Sequence, residues 1–351
     1  MGIGAPSFGS REYWDCRFSR DPTAFDWLVP ATRLDRHIRA VIRAFPSDDP
    51  FPRIHHIGCG TSALSFQLRR LVLRPSQVLN SDYSRAAVEI GRTREEELFG
   101  TGAAGVVGEG EQEQVRHRDQ GVGVSPESES EAPSMPRESM RWRTLDLLSA
   151  PAMAEVAAAA GLGDVALVVD KSTSDCIACV DDVAVTLPYL LQPSPSPPTP
   201  AAEPPPPTTT ITSSAKIHPL HVLAVNLAAT TAPGGRWLCV SYSGARFPFL
   251  DPQPTRADEG ALRGDVLAAG FVHPGRLWRL EACERIEADD DEEDGDADED
   301  EDDDKGRDRG GAGVAVVHRP RIAHHLYVLV RTELRLQHVV ADDGSSGGGG
   351  I

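Results

Sequence analysis

No apolar run in the 351-residue chain reaches the ~18 residues that a membrane-spanning helix needs, so no membrane association is expected. The N-terminus (MGIGAPSFGSREYWD) lacks a charged stretch followed by an apolar one, and no signal peptide is expected. Six cysteines are too few for a disulfide scaffold in a chain this long, which points to a reducing, cytoplasmic compartment. An excess of basic residues is also missing: 35 Lys and Arg face 53 Asp and Glu, for a formal charge of -18. Without a basic surface, binding to nucleic-acid phosphates is not expected. No internal repeat is visible. These absences leave a soluble monomer as the expectation.

What is present is unevenly distributed. Residues 287–304 (EADDDEEDGDADEDEDDD) hold 15 acidic residues and no basic one, so the remainder carries only about -3. Nine of the 28 prolines lie between Pro193 and Pro207. A third stretch, about 100–139, is rich in Gly, Glu, Gln and Ser. Each is too polar or too Pro-rich to offset its ordering entropy by burial. The composition therefore predicts one domain over 1–335, interrupted at about 100–139, 192–216 and 287–313, with a disordered tail at 336–351.

The rest alternates between strand and helix periods. RIHHIG (53–58) reads as a strand closed by Gly, and 61–73 as a helix with Leu64, Leu68 and Leu71 on one face. Residues 77–82 predict a second strand and 84–99 a second helix with Ser84 as N-cap. Residues 140–148 give a strand running into a turn, and DVALVVD (164–170) a strand buried on both faces. A helix over 218–230, ended by Pro233-Gly234-Gly235, precedes a strand over 236–243. Two late strands, 276–287 and 324–332, have no helix between them. The pattern predicts an α/β fold: a Rossmann-like, doubly wound, mostly parallel seven-stranded sheet with an antiparallel C-terminal pair.

In such a sheet the chemistry sits at the carboxyl ends of the strands. Gly58-Cys59-Gly60-Thr61-Ser62-Ala63 is a Gly-x-Gly-x-x-Ala loop between strand and helix. Its glycines allow a tight turn and close approach to a ligand, and the helix behind offers unpaired N–H groups. Asp82 ends the next strand, where a carboxylate can accept ribose hydroxyls. The pair fits a nicotinamide nucleotide or S-adenosylmethionine. Asp146 and Asp170, at the ends of the third and fourth strands, favour the second, because they would repel a pyrophosphate and attract a cationic sulfonium. A non-catalytic scaffold with the same fold is a third reading.

The blocks Tyr13-Trp14-Asp15 with Arg17-Phe18, Phe25-Asp26-Trp27, His56 to Ser65, Ser81-Asp82-Tyr83-Ser84, Leu145-Asp146-Leu147, Asp170-Lys171-Ser172-Thr173-Ser174-Asp175, Gly234-Gly235-Arg236 and Ser241-Tyr242-Ser243 resemble a eukaryotic family of class I S-adenosylmethionine-dependent methyltransferases. That family includes lysine methyltransferases acting on translation elongation factor one-alpha. The resemblance implies methyl transfer to a protein lysine, with an elongation factor as a possible partner. It further implies that Trp14, Phe18 and Trp27 lie against the cofactor, Gly58 and Gly60 hold its methionine portion, and Asp82 holds its ribose. Tyr83, Asp146 and Leu147 would surround the adenine, and Lys171 would line the methionine end. Phe18 stands where the family usually has Tyr. His56, Ser172 and Ser174 also depart from its pattern.

Methyl transfer needs no nucleophile from the protein, so no catalytic residue is assigned. The Asn-Pro-Pro-Tyr or Asp-Pro-Pro-Tyr motif of enzymes that methylate nucleic-acid amino groups is absent after the fourth strand. Cys176 and Cys179 have half of a zinc spacing and no second pair, and His218, His221, His324 and His325 lack companion ligands. No metal is expected. Cys59, Cys239 and Cys283 lie on apolar strands and are expected to be buried free thiols.

Overall fold

The computed structural model describes residues 7–45, 51–100, 138–160, 165–193, 212–250, 262–287 and 323–338. Most of the three low-complexity stretches and of the tail lies outside them. Eleven strands and eight α-helices are described. The strands are β1 Arg53–Ile57, β2 Val78–Asp82, β3 Arg141–Thr144, β4 Val165–Lys171, β5 Val183–Leu187, β6 Leu191–Pro193, β7 Ser213–Ile217, β8 Thr231–Ser241, β9 Trp278–Glu287, β10 Ala323–Arg331 and β11 Leu336–His338. The helices are α1 Arg11–Arg20, α2 Asp35–Ala44, α3 Leu64–Leu71, α4 Arg85–Phe99, α5 Ala150–Ala160, α6 Thr173–Ile177, α7 Pro219–Thr230 and α8 Gly264–Ala268.

Seven strands form one sheet in the order β3-β2-β1-β4-β8-β10-β9. The first five run parallel, while β10 is antiparallel to both β8 and β9. The sheet is thus the doubly wound one expected, with its reversed strand in the C-terminal pair. From β1 the chain winds outward in both directions, to β2 and β3 on one side and to β4 and β8 on the other. The switch point falls where β1 and β4 meet.

Strand β4 shows why the sheet is central. All seven of its residues are buried. Val165 and Val168 join a core with α5 and α7 on one face, and Leu167 and Val169 join a second core with α2 and α3 on the other. Each such side chain stabilises the fold by roughly 1.5–3 kcal/mol. Helix α7 is buried almost throughout, including the backbone-paired side of Asn226, whose amide donates to the Leu147 carbonyl at 2.9 Å.

The structure moves several expected boundaries. Pro233-Gly234-Gly235 does not end the helix: α7 stops at Thr230 and β8 starts at Thr231. The triplet lies inside β8, where pairing with β4 jumps from Val165↔Thr231 to Leu167↔Arg236 and the extra β8 residues bulge out. Helix α3 begins at Leu64 and ends at Leu71, because the 61–63 segment stays in the glycine loop, where Ser62 Oγ accepts from the Leu64 N–H at 3.1 Å. Residues 213–216, assigned by composition to the Pro-rich insertion, form part of β7 and pair antiparallel with β5. Leu336–His338, assigned to the tail, pairs with β6. Neither ladder is legible in the sequence, because β6 and β11 have three residues each and β7 (SSAKI) is too polar to show a strand period. Cys59 and Cys239 are buried as expected, whereas Cys283 is exposed because β9 is the outermost strand.

Candidate active site

The carboxyl ends of β1, β2 and β4 open into a cavity of about 290 Å³. Its floor is the loop after β1. Gly58 and Gly60 both have positive φ, at +54° and +48°. A Cβ on Gly58 would stand 2.3 Å from Thr173 Oγ1, and one on Gly60 would stand 3.2 Å from the Phe18 ring. Only glycine satisfies both the backbone and the space here.

Asp82 closes β2 beside this loop. Its two carboxylate oxygens accept the Gly60 N–H at 2.9 Å and the Ser84 N–H at 2.8 Å. A carboxylate has about four acceptor sites, so these bonds do not exhaust its capacity for a ligand. Burial, opposed by those backbone N–H groups, pushes the Asp82 carboxyl up to about 6. Tyr83 follows, with its hydroxyl donating to the Gly9 carbonyl at 2.9 Å. The β3–α5 turn brings Leu145, Asp146 and Leu147 to the same wall. Asp146 Oδ1 also accepts from the Leu148 N–H at 2.9 Å, which fixes that turn.

The roof comes from the N-terminal segment. Helix α1 starts at Ser10, whose Oγ accepts from the Tyr13 N–H at 3.3 Å. It places Trp14 and Phe18 one turn apart with rings stacked at 5.5 Å. Trp27 meets Trp14 edge-on at 6.1 Å, and Phe8 and Phe25 extend the group. Arg17 lies 5.1 Å from the Phe25 ring centre and covers Trp27 at 5.7 Å. Ser84 Oγ donates to Asp15 at 2.6 Å, which ties α1 to the N-terminus of α4.

At the far end, Lys171 extends from β4 into the wall. Its ammonium is ion-paired with Asp26 and also donates to the Val29 carbonyl at 3.3 Å. Asp26 accepts the Ser62 hydroxyl at 2.5 Å as well. Burial lowers the Lys171 pKa against the pull of Asp26. For Asp26, burial alone would raise the carboxyl, but the Lys171 ammonium and Ser62 outweigh it and hold it below the usual range. His56 lines the cavity too, with Nδ1 facing Ser65 Oγ at 3.0 Å and Asn80 Oδ1 at 3.3 Å. Burial, aided by the nearby Lys171 charge, lowers it to about 3 and keeps it neutral.

All ten residues selected from sequence line this one cavity: Trp14, Phe18, Trp27, Gly58, Gly60, Asp82, Tyr83, Asp146, Leu147 and Lys171. Asp170, grouped at first with the cavity acids, is not among them. It is fully buried and turned toward α6, accepting the Thr173 N–H at 2.8 Å, the Ser174 N–H at 3.2 Å and the Ser174 hydroxyl. It holds the first N–H groups of that short helix from two residues before the N-cap Ser172, and so lends no support to a sulfonium over a pyrophosphate. Sequence reasoning also passed over Phe8, Ser62 and Cys176, which line the cavity, and Asp26, which stands behind Lys171. Asp26 was visible within the Phe25-Asp26-Trp27 block, but nothing in the sequence pairs it with a lysine 145 positions away. Among the described residues no group of three or more His, Cys, Asp or Glu is placed to hold a metal ion.

The sheet order, the reversed strand β10 and the cavity over β1, β2 and β4 together define the class I methyltransferase fold. No family model matches the chain. It is 29% identical over 188 residues to methyltransferase srdJ of Neurospora crassa, a stretch that covers 52% of this chain and 61% of that protein. The chain therefore spans less than two thirds of that curated relative's length. Among solved structures it is similar to a SAM-dependent methyltransferase of Anabaena variabilis, with 10% identity over 94% of this chain and 96% of that one, at a TM-score of 0.40. It is also similar to the N-methyltransferase NodS of Bradyrhizobium japonicum in complex with S-adenosyl-L-homocysteine, with 12% identity over 91% and 98% of the two chains, at a TM-score of 0.36. These scores describe a loose likeness and add nothing to the topology.

Proposed function

We propose that the protein is an S-adenosylmethionine-dependent methyltransferase. One observation carries the reading. The glycine loop, the Asp82 carboxylate and an aromatic roof converge on a single cavity at the switch point of the sheet. The residues present fit the cofactor. Asp82 is a carboxylate at the cavity wall that can accept ribose hydroxyls, and the positive φ of Gly58 and Gly60 makes the tight turn that brings the loop backbone to the cavity floor. The aromatic faces of Trp14, Phe18 and Trp27 suit a sulfonium cation. Tyr83, Asp146 and Leu147 form the adenine end, and Lys171 stands toward the methionine end.

S-adenosylmethionine supplies an electrophilic methyl group, so the protein's task is to bind, orient and desolvate. The roof residues cover the cavity with apolar rings, and the neutral His56 adds no charge to it. An acceptor must reach the methyl group as a neutral nucleophile held in line at ~3–3.5 Å. The finer reading, a protein lysine as acceptor with a translation elongation factor as candidate substrate, rests on the motif resemblance, and a cytosolic monomer on the composition.

Calorimetric titration with S-adenosylhomocysteine tests the cofactor reading, with NAD as the comparison ligand. Binding of the first and indifference to the second is expected. Binding of NAD alone would replace the proposal with a nucleotide-dependent oxidoreductase. Labelled cofactor incubated with a cell lysate then tests the acceptor, and label in small molecules with none in protein would overturn the lysine assignment.

A further inference from the structure

The cavity wall carries a lysine where a cationic cofactor must sit, and the neighbouring aspartate comes from a different element. The Lys171 side chain is 2% exposed and that of Asp26 25% exposed. An unpaired ammonium at this point would oppose a sulfonium through a medium of low dielectric. Asp26 lies on the loop between α1 and Ala31, the same segment that delivers Phe25 and Trp27 to the roof. Its carboxylate is oriented from two sides, by Lys171 and by the Ser62 hydroxyl of the glycine loop.

We propose that Asp26 is a positioning residue that cancels the Lys171 charge, so that the closed cavity accepts the cationic methyl donor as readily as its neutral by-product. This rests on the cofactor reading above. The donor carries one more positive charge than S-adenosylhomocysteine, so the ratio of the two affinities reports the electrostatic balance of the wall. Because Asp26 arrives with the roof, the wall is neutral only when the N-terminal segment is in place.

The test is calorimetric titration of both ligands against the full chain and three variants. Asp26→Asn leaves the ammonium unpaired and should weaken S-adenosylmethionine about 10-fold more than S-adenosylhomocysteine. Lys171→Met leaves the carboxylate unpaired and should shift the ratio the opposite way. The double variant Asp26→Asn/Lys171→Met removes both charges and should return the ratio to that of the wild type. A purely structural pair would weaken both ligands alike in every variant, and an unchanged ratio in Asp26→Asn overturns the proposal while leaving the methyltransferase reading intact. Failure of the wild type to bind either ligand removes the cofactor reading, and this inference with it. Should Asp26→Asn not fold, the Lys171→Met and double variants decide the matter by the same ratio.

Discussion

The Gly60 N–H donates to the Asp82 carboxylate at 2.9 Å, joining the loop after β1 to the end of β2. Loop shape and carboxylate orientation are therefore one property, and a change in either residue disturbs both. The glycine turn fixes where the acid points, and the acid holds the turn closed.

Asp82→Asn should weaken S-adenosylhomocysteine binding by roughly 10- to 100-fold, the worth of hydrogen bonds to a charged acceptor. In the wild type the affinity should fall as pH drops through about 6, where Asp82 takes up its proton. The stability effect has the opposite sense. The folded value lies above the ordinary 3.8, so between about 4 and 6 the folded state holds a proton that the unfolded state has released. This group's contribution to stability is greatest below that window and is lost as pH rises through it. Titration at pH 5, 6, 7 and 8 checks the binding arm, and Asp82→Asn should flatten the curve.

Gly58→Ala should lower stability by about 1–3 kcal/mol, since the new methyl enters the space of Thr173 and the backbone sits at positive φ. Gly60→Ala meets only the edge of the Phe18 ring. A Gly60→Ala/Phe18→Leu double variant should relieve part of its cost. Chemical denaturation separates the two.

Asp170→Ala should destabilise by about 1–3 kcal/mol, because the buried Ser174 hydroxyl and the first N–H groups of α6 lose their acceptor. Affinity for S-adenosylhomocysteine should stay unchanged, because the side chain faces α6 and not the cavity. A large affinity loss with normal stability would return Asp170 to the binding site. Denaturation and calorimetry on the same sample settle it.

Glu95 accepts the Met140 N–H and the Trp142 indole, both at 2.8 Å, and the Arg69 guanidinium at 3.1 Å. It is buried, so Glu95→Ala strands three donors at once. A loss of about 3 kcal/mol is expected, with Glu95→Gln less severe. Thermal denaturation measures both.

The main sheet and the cavity residues were legible because they depend on local chemistry. A strand buried on both faces has to be apolar, as 165–169 is, and a glycine loop has to carry its glycines together. What stayed hidden depends on distance. Asp26 and Lys171 meet only through the fold, and Asp170 differs from Asp82 in where a side chain turns, which strand-end position does not reveal. The β5–β7 and β6–β11 ladders were missed for a related reason. Their pairing brings together segments separated by a Pro-rich stretch, or by most of the C-terminal half.

Strands β9 and β10 meet at Ala323↔Glu287, and His325 of β10 stands opposite Ser241 at the finishing end of β8. The two attachment points of the acidic stretch thus emerge at the same end of the sheet as the cavity. Those of the first low-complexity stretch, after α4 and before β3, open at the opposite end. The molecule therefore has a working side and a silent side for engineering. A tag or fluorophore grafted between α4 and β3 would enter at the end of the sheet away from the cavity, whereas one placed between β9 and β10 would enter at the cavity end, on the strand pair that begins two places beyond β4.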